Sequence, residues 1–227
     1  MRVWTFAIQR GGSGKTSLTT HLAAYATSLK EKKETIAIVD LDPQRSAYTW
    51  HEKRGEKTPI VALSTPEKLE EVVKGAASLG VTLLLIDTPG KIEHSALAAM
   101  RVSDLVVVPV TACLFDHVAL QDTVKLLEMA GKKSAAIGVI NQVPTKKLEQ
   151  WVDETSISIE GVGLPVADVY VRHHLEQFLE ANNAGQGVTE LKPKNKDIRE
   201  AAGDIRSLWT YLNRFKVPAR KAEATAR

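Results

Sequence analysis

The chain has 227 residues, 44% of them hydrophobic and 25% charged, with a formal net charge of +3. That balance is ordinary for a soluble globular protein and excludes a disordered class, while no apolar run approaches the ~20 residues that a membrane helix needs. The length admits one large α/β domain or two small ones; one is expected, over residues 1–215, followed by a basic tail at 216–227.

The first apolar run, Val3–Ile8, reads as a strand. It ends at Gln9-Arg10 and continues into a loop, so a secretory signal is not expected. The loop is Gln9-Arg10-Gly11-Gly12-Ser13-Gly14-Lys15-Thr16. Glycines at 11, 12 and 14 let successive N–H groups turn inward on a phosphate chain, Lys15 reaches the outer phosphates, and the Thr16 hydroxyl can ligate magnesium. A helix from Lys15 to Leu29 aims its positive dipole end at the same anion. Leu18, Leu22, Ala26 and Leu29 fall on one face of it. The pattern is G-x-x-x-x-G-K-[ST] with the first glycine displaced, because position 9 is Gln.

Further short runs follow, rich in Leu and β-branched residues: Thr35–Val39, Ile60–Leu63, Thr82–Ile86, Leu105–Pro109 and Ala135–Ile140. Their alternation with helical segments predicts a mostly parallel, twisted α/β sheet with helices on both faces. The second run delivers Asp40-Leu41-Asp42-Pro43-Gln44 to the carboxyl edge, where ligands bind. There Asp42 could orient an attacking water, and Asp40 could hold either the magnesium shell or the loop itself; an Asp-Pro capping turn is the plainer alternative. Pro66-Glu67 opens a helix. The fourth run delivers Asp87-Thr88-Pro89-Gly90, with Asp87 expected to reach magnesium through water. Leu120, Val124 and Leu127 mark another amphipathic helix. Cys113 is the single cysteine, which excludes an internal disulfide, favours a reducing cytoplasm and is expected as a small buried hydrophobe.

After Asn141 the periodicity loosens. Residues 165–183 are expected to hold a turn and a short helix, 184–187 a break, and Asn195–Phe215 a final amphipathic helix carrying Ile198, Ala202, Ile205, Trp209 and Leu212. Lys192, Lys194 and Lys196 lead into that helix, and Arg199 and Arg206 lie seven residues apart on nearly one face. Together with Arg172, His173 and His174 they form a candidate surface for DNA phosphates, with no motif for reading bases. The tail, where Lys216, Arg220, Lys221 and Arg227 outnumber Glu223, reads either as a solvated segment or as a nucleic-acid contact.

The three motifs at Arg10–Thr16, Asp40–Gln44 and Ile86–Gly90 resemble those of the ParA family, whose deviant phosphate loop reads Lys-Gly-Gly-x-Gly-Lys-Thr. The resemblance continues through Asp104–Val110 and Gly187-Val188-Thr189-Glu190. It implies a P-loop ATPase that uses ATP and Mg2+, weak alone and stimulated by DNA and by a ParB-like or other cargo-bound activator. It also implies a homodimer in the ATP state, nonspecific DNA binding and residence on the nucleoid in the cytoplasm, without a membrane. Gly11, Gly12, Ser13, Gly14, Lys15, Thr16 and Ser17 carry over to the nucleotide, Asn141 to the adenine, Asp42 to the hydrolytic water, and Thr16, Asp40 and Asp87 to the metal. Arg10 stands where the family places a lysine that crosses to the partner's nucleotide; its planar fork is not equivalent to an ammonium. Segregation of plasmid or chromosomal DNA is the first expectation and positioning of a protein cargo, such as a microcompartment, the second. A metabolic ligase or kinase of the same fold is a third. A membrane-bound division-site relative would need an amphipathic C-terminal helix, and a cluster-bridged redox relative would need paired cysteines.

Overall fold

The computed structural model describes residues 1–29, 34–55 and 57–217. Of the tail, positions 218–227 lie outside the described residues, Arg220, Lys221, Glu223 and Arg227 among them. Six strands form one parallel sheet: β1 (Arg2–Phe6), β2 (Ile36–Asp40), β3 (Ile60–Leu63), β4 (Leu83–Asp87), β5 (Leu105–Val110) and β6 (Ala136–Ile140). The order is β3-β2-β4-β1-β5-β6, so the loops after β1, β2, β4 and β6 gather at one carboxyl edge. β4 and β5 are buried at every position, which their unbroken apolar runs require of strands covered on both faces.

One face carries α1 (Lys15–Ser28), α2 (Ser46–Lys53), α7 (Leu175–Asn183) and α8 (Lys196–Arg214). The other carries α3 (Leu69–Ser78), α4 (Glu93–Val102), α5 (Leu114–Met129) and α6 (Leu148–Gly161). The α8 stripe follows the expected spacing, with Ile198, Ala202, Ile205, Trp209 and Leu212 all buried. Its start is set by Asn195, whose Oδ1 accepts the Ile198 N–H at 2.9 Å. Trp209 packs on Trp4 of β1 with ring centroids 5.6 Å apart.

The structure shifts several expected elements. β2 and β4 each begin and end one residue later than expected, which makes Asp40 and Asp87 the last paired residues of their strands and not part of the loops. The α1 helix is buried nearly all round, including Thr19, Thr20, His21 and Ala24, because α2, α8 and the sheet enclose it. Pro66 begins a short 3-10 turn, and the α-helix starts only at Leu69. Cys113 is partly exposed at the N-cap of α5, not buried.

His21 is a buried polar group within this packing. Its Nδ1 accepts the Val188 N–H at 2.8 Å, its ring stacks on Phe178 at 4.4 Å, and its Nε2 has no partner. Burial lowers its pKa to about 4, against a smaller opposing pull from Glu190. A second proton would also replace the acceptor that holds Val188. The unfolded imidazole protonates near pH 6.5, so stability present above that pH is lost as pH falls toward 4. His21 should thus account for roughly 2 kcal/mol of the stability lost between pH 7 and pH 5, measured by denaturant unfolding. His21→Gln should flatten that slope; an identical slope in the variant would assign the acid sensitivity to other groups.

Candidate active site

The phosphate loop is shaped by what packs beneath it. Gly12 and Gly14 hold φ of 85° and 88°, a region that a side chain disfavours, and a Cβ on Gly14 would lie 2.3 Å from Asn141 Nδ2. Two amide side chains at the end of β6 brace the loop: Asn141 Nδ2 donates to Ser13 O at 2.8 Å and Gln142 Nε2 to Gly12 O at 2.9 Å. The first-turn N–H groups of α1 lack intrahelical acceptors and face the same side as the loop, which makes an anion site. Lys15 is only 6% exposed, its pKa lowered by burial, and its Nζ donates to Arg10 O at 2.6 Å. A phosphate chain would supply the negative partner that this carbonyl supplies weakly.

Arg10 turns the other way. Its guanidinium pairs with the buried Asp116 on α5 and lies 5.8 Å from the centroid of the Phe115 ring. Asp116 in turn accepts the Thr111 N–H at 2.8 Å, so the pair ties the phosphate loop to the start of α5. Cys113 is the neighbouring N-cap, its thiol shifted downward first by the Phe115 N–H, against desolvation, and further by Arg10.

The acids converge from adjacent strands, since Asp40 and Asp87 are in register across β2 and β4. Asp87 is 0% exposed; Thr16 Oγ1 donates to its Oδ2 at 2.6 Å, and its Oδ1 has no partner. Burial pushes its pKa up to about 7, opposed mainly by the Thr16 hydroxyl. A divalent cation held between the Thr16 hydroxyl and this carboxylate would restore its charge. No group of three or more His, Cys, Asp or Glu that could cage a metal occurs among the described residues. The Thr16 hydroxyl and the free Asp87 oxygen are hard oxygen donors that fit magnesium, which commonly keeps waters and binds through one or two protein groups plus substrate phosphates.

Asp40 was left between metal shell and loop anchor by its sequence, and its oxygens face the loop. Oδ1 accepts the Asp42 N–H at 2.9 Å and Oδ2 the Tyr48 N–H at 3.1 Å, so the carboxylate fixes the turn between β2 and α2. Burial raises its pKa, with those backbone bonds opposing. Asp42 is half-exposed, and its Oδ1 accepts the Gln44 N–H at 2.9 Å, the capping turn that an Asp-Pro sequence favours. Asp42, Lys15, Thr16 and Ser17 nevertheless line one cleft of 600 Å³ with Gly11, Gly12 and Gly14. Ser13 lies beneath the loop with its Oγ buried and unpartnered.

Asn141 is 1% exposed, its nitrogen on the loop and its Oδ1 unpartnered. Beside it a second space of 110 Å³ is bounded by Gln142, His173, His174 and Leu175. Sequence reasoning missed this wall and grouped Arg172 and His174 with the DNA surface. That grouping is corrected: Arg172 pairs with Asp204 at 2.8 Å and Glu200 at 3.0 Å, and the buried His174 with Asp204 at 2.9 Å. Asp204 and Glu200 on α8 were the available signal, as acids on the inner side of a basic helix. Gln142 was missed as well, and Gly90 stood in its motif without a role. A Cβ on Gly90 would lie 2.6 Å from Gly11 N, so only glycine lets the β4–α4 loop touch the phosphate loop.

The basic set expected to meet DNA lies elsewhere. Lys192, Lys194, Lys196, Arg199 and Arg206 are exposed at the start and along α8. Lys196 pairs with Glu200 at 3.4 Å. Arg206 borders a separate open groove of 650 Å³ with Arg214, Lys216, Tyr211 and Phe215.

The family model described as the CobQ/CobB/MinD/ParA nucleotide binding domain matches residues 4–216. Maintenance of carboxysome distribution protein A from Gloeobacter kilaueensis is 28% identical over 207 residues, covering 90% of this chain and 91% of that protein. The chromosome-partitioning ATPase Soj of Thermus thermophilus is 30% identical over 152 residues, 53% of this chain and 58% of Soj. Among solved structures, the MinD cell division protein of Aquifex aeolicus shares the fold at a TM-score of 0.74 and 16% identity, covering 96% of this chain and 99% of that one. The matched span contains the sheet but for the first two residues of β1, the braced phosphate loop and both strand-end carboxylates, and the chain therefore belongs to the CobQ/CobB/MinD/ParA family of P-loop ATPases.

Proposed function

We propose that this ATPase positions a protein cargo along DNA by cycling between an ATP-bound homodimer that holds DNA nonspecifically and a dispersed state that follows hydrolysis. The hydrolytic part rests above all on one observation: Lys15, Thr16 and Asp42 share a single cleft at the carboxyl edge, with Asp87 beneath it on Thr16. The cargo part rests on the likeness to a carboxysome distribution protein along nine-tenths of both chains. That likeness favours protein over DNA cargo, reversing the order that the motifs alone suggest. The partial match to a chromosome-partitioning ATPase keeps DNA segregation as the second reading.

In this reading the loop N–H groups and Lys15 hold the phosphates, and Thr16 with Asp87 holds magnesium, which neutralises charge on the terminal phosphates. Asp42 leaves its Gln44 cap to orient the attacking water. Asn141 Oδ1, buried and unpartnered, accepts from the adenine amino group. Arg10 reaches a partner's nucleotide only by leaving Asp116. A cargo-bound activator supplies the stimulus for turnover, and the nucleoid is the track. Among the described residues no helix is long and apolar enough to cross a membrane.

Three outcomes follow. Asp42→Ala should bind magnesium ATP yet hydrolyse it at least tenfold more slowly and accumulate as dimer in sedimentation, whereas Lys15→Ala should lose nucleotide affinity itself. Native turnover in Asp42→Ala would remove its assigned role. DNA binding should need ATP and fall steeply with salt, and replacing both Arg199 and Arg206 with Glu should weaken it at least tenfold while leaving nucleotide binding intact. Equal DNA affinity with ATP and ADP would refute the cycle. Hydrolysis should rise with DNA plus a cargo-associated protein; stimulation by a small-molecule acceptor instead would favour the ligase or kinase reading.

A further inference from the structure

A nucleoside triphosphate carries more charge than one lysine and one magnesium ion balance, so a site that prefers it over a diphosphate needs another cation near its outermost phosphate. Arg10 does not supply one within its own subunit, because its guanidinium is engaged by Asp116 and Phe115 on the α5 side. Among the described residues, the cations that border the 600 Å³ cleft are Lys15 and Lys91. Lys91 belongs to no sequence motif singled out above.

The backbone of Lys91 is placed by its predecessors. Asp87 is held by Thr16, Thr88 Oγ1 donates to Phe6 O at 2.7 Å, and Gly90 packs so closely that a Cβ there would lie 2.8 Å from Arg10 C and from Gly11 Cα. Three anchors within four residues thus set the loop against the phosphate loop, and the next residue lines the rim of the cleft. Its side chain is exposed and forms no salt bridge or hydrogen bond among the described residues. A lysine on a fixed backbone with a free, flexible stem suits contact with a mobile outer phosphate as a point charge.

We propose that Lys91 binds the terminal phosphate of the nucleotide from the β4–α4 rim of the cleft, and is the residue that makes this site prefer a triphosphate to a diphosphate. The inference rests on the ATP-binding reading above. It adds a specificity-determining residue from the β4–α4 loop.

The test is calorimetric titration of the full chain with magnesium ADP and with a non-hydrolysable ATP analogue. The native chain is compared with Lys91→Ala, Lys91→Arg and Lys74→Ala, the last a charge-matched control on α3. Lys91→Ala should lose on the order of tenfold or more in affinity for the triphosphate analogue while keeping ADP affinity within about twofold, the size of one charge-assisted contact. Lys91→Arg should recover most of that loss, and Lys74→Ala should match the native chain. A native triphosphate-to-diphosphate ratio in Lys91→Ala, or equal loss for both nucleotides, overturns the proposal and leaves the ATPase reading standing. Failure of the native chain to bind either nucleotide overturns both.

Discussion

The contact between Thr16 and Asp87 is the constraint around which the rest of the molecule is arranged. A carboxylate with no exposure and a single hydroxyl donor is unfavourable in the ionised form, which is why its pKa rises to about 7. The fold accepts this cost at the end of its central strand pair, beside a second buried acid in register on β2. A divalent cation and a phosphate chain remove the cost, so binding stabilises the folded chain by more than its new contacts alone provide. The unpartnered Asp87 Oδ1, Ser13 Oγ and Asn141 Oδ1 are three buried polar atoms around one loop, a concentration that marks a site built for a polar occupant.

Glycine and amide side chains set the loop's shape, and each acts for a different reason. Gly14 is needed because Asn141 occupies the space a side chain would take, and Gly90 because Gly11 does. Neither close approach is visible in a linear reading, which explains why Gly12 and Gly14 were legible as a phosphate cradle while Gly90 and Gln142 were not. The loop is consequently fixed from two sides, by β6 through amide donors and by β4 through bare backbone contact. Fixed N–H groups are what electrostatic stabilisation of a phosphate requires, since dipoles already aimed need no reorganisation on binding.

The sequence carried the sheet well because strands buried on both faces leave unbroken apolar runs, as in Leu83–Ile86 and Leu105–Val108. It carried α8 because a single buried stripe repeats there with helical spacing. It carried α2 and α6 poorly: only Ala47, Trp50 and His51 are buried in the first and only Thr155 and Ile159 in the second, too few to set a period. Charge was the least legible quantity. Arg172 counts as positive in sequence, yet Asp204 and Glu200 neutralise it in the fold, and Arg10 is likewise engaged by an acid 106 residues away. Pairings across that separation depend on topology, which composition does not encode.

Those long-range pairs also bear on how a nucleotide could govern a surface as distant in sequence as α8. The Asp42 turn leads directly into α2, and the far end of α2 is clamped to the chain near residue 190. Arg54 makes paired hydrogen bonds of 2.7 Å to Glu190 and a third to Gly185 O at 3.0 Å, while Trp50 Nε1 donates to Gln186 O at 3.1 Å. Gly187 then seats against α1, where a Cβ would lie 2.6 Å from Ala24 Cβ. The following residues pass through Leu191 into Lys192 and Lys194, which precede α8, and Lys196, which opens it. A bidentate ion pair and a close-packed glycine thus join the turn that carries Asp42 to the segment that leads into α8. Such contacts shift as units because they have no slack to absorb a displacement. This gives the proposed ATP dependence of DNA binding a physical route through packing, independent of any direct reach of phosphate charge to the basic face.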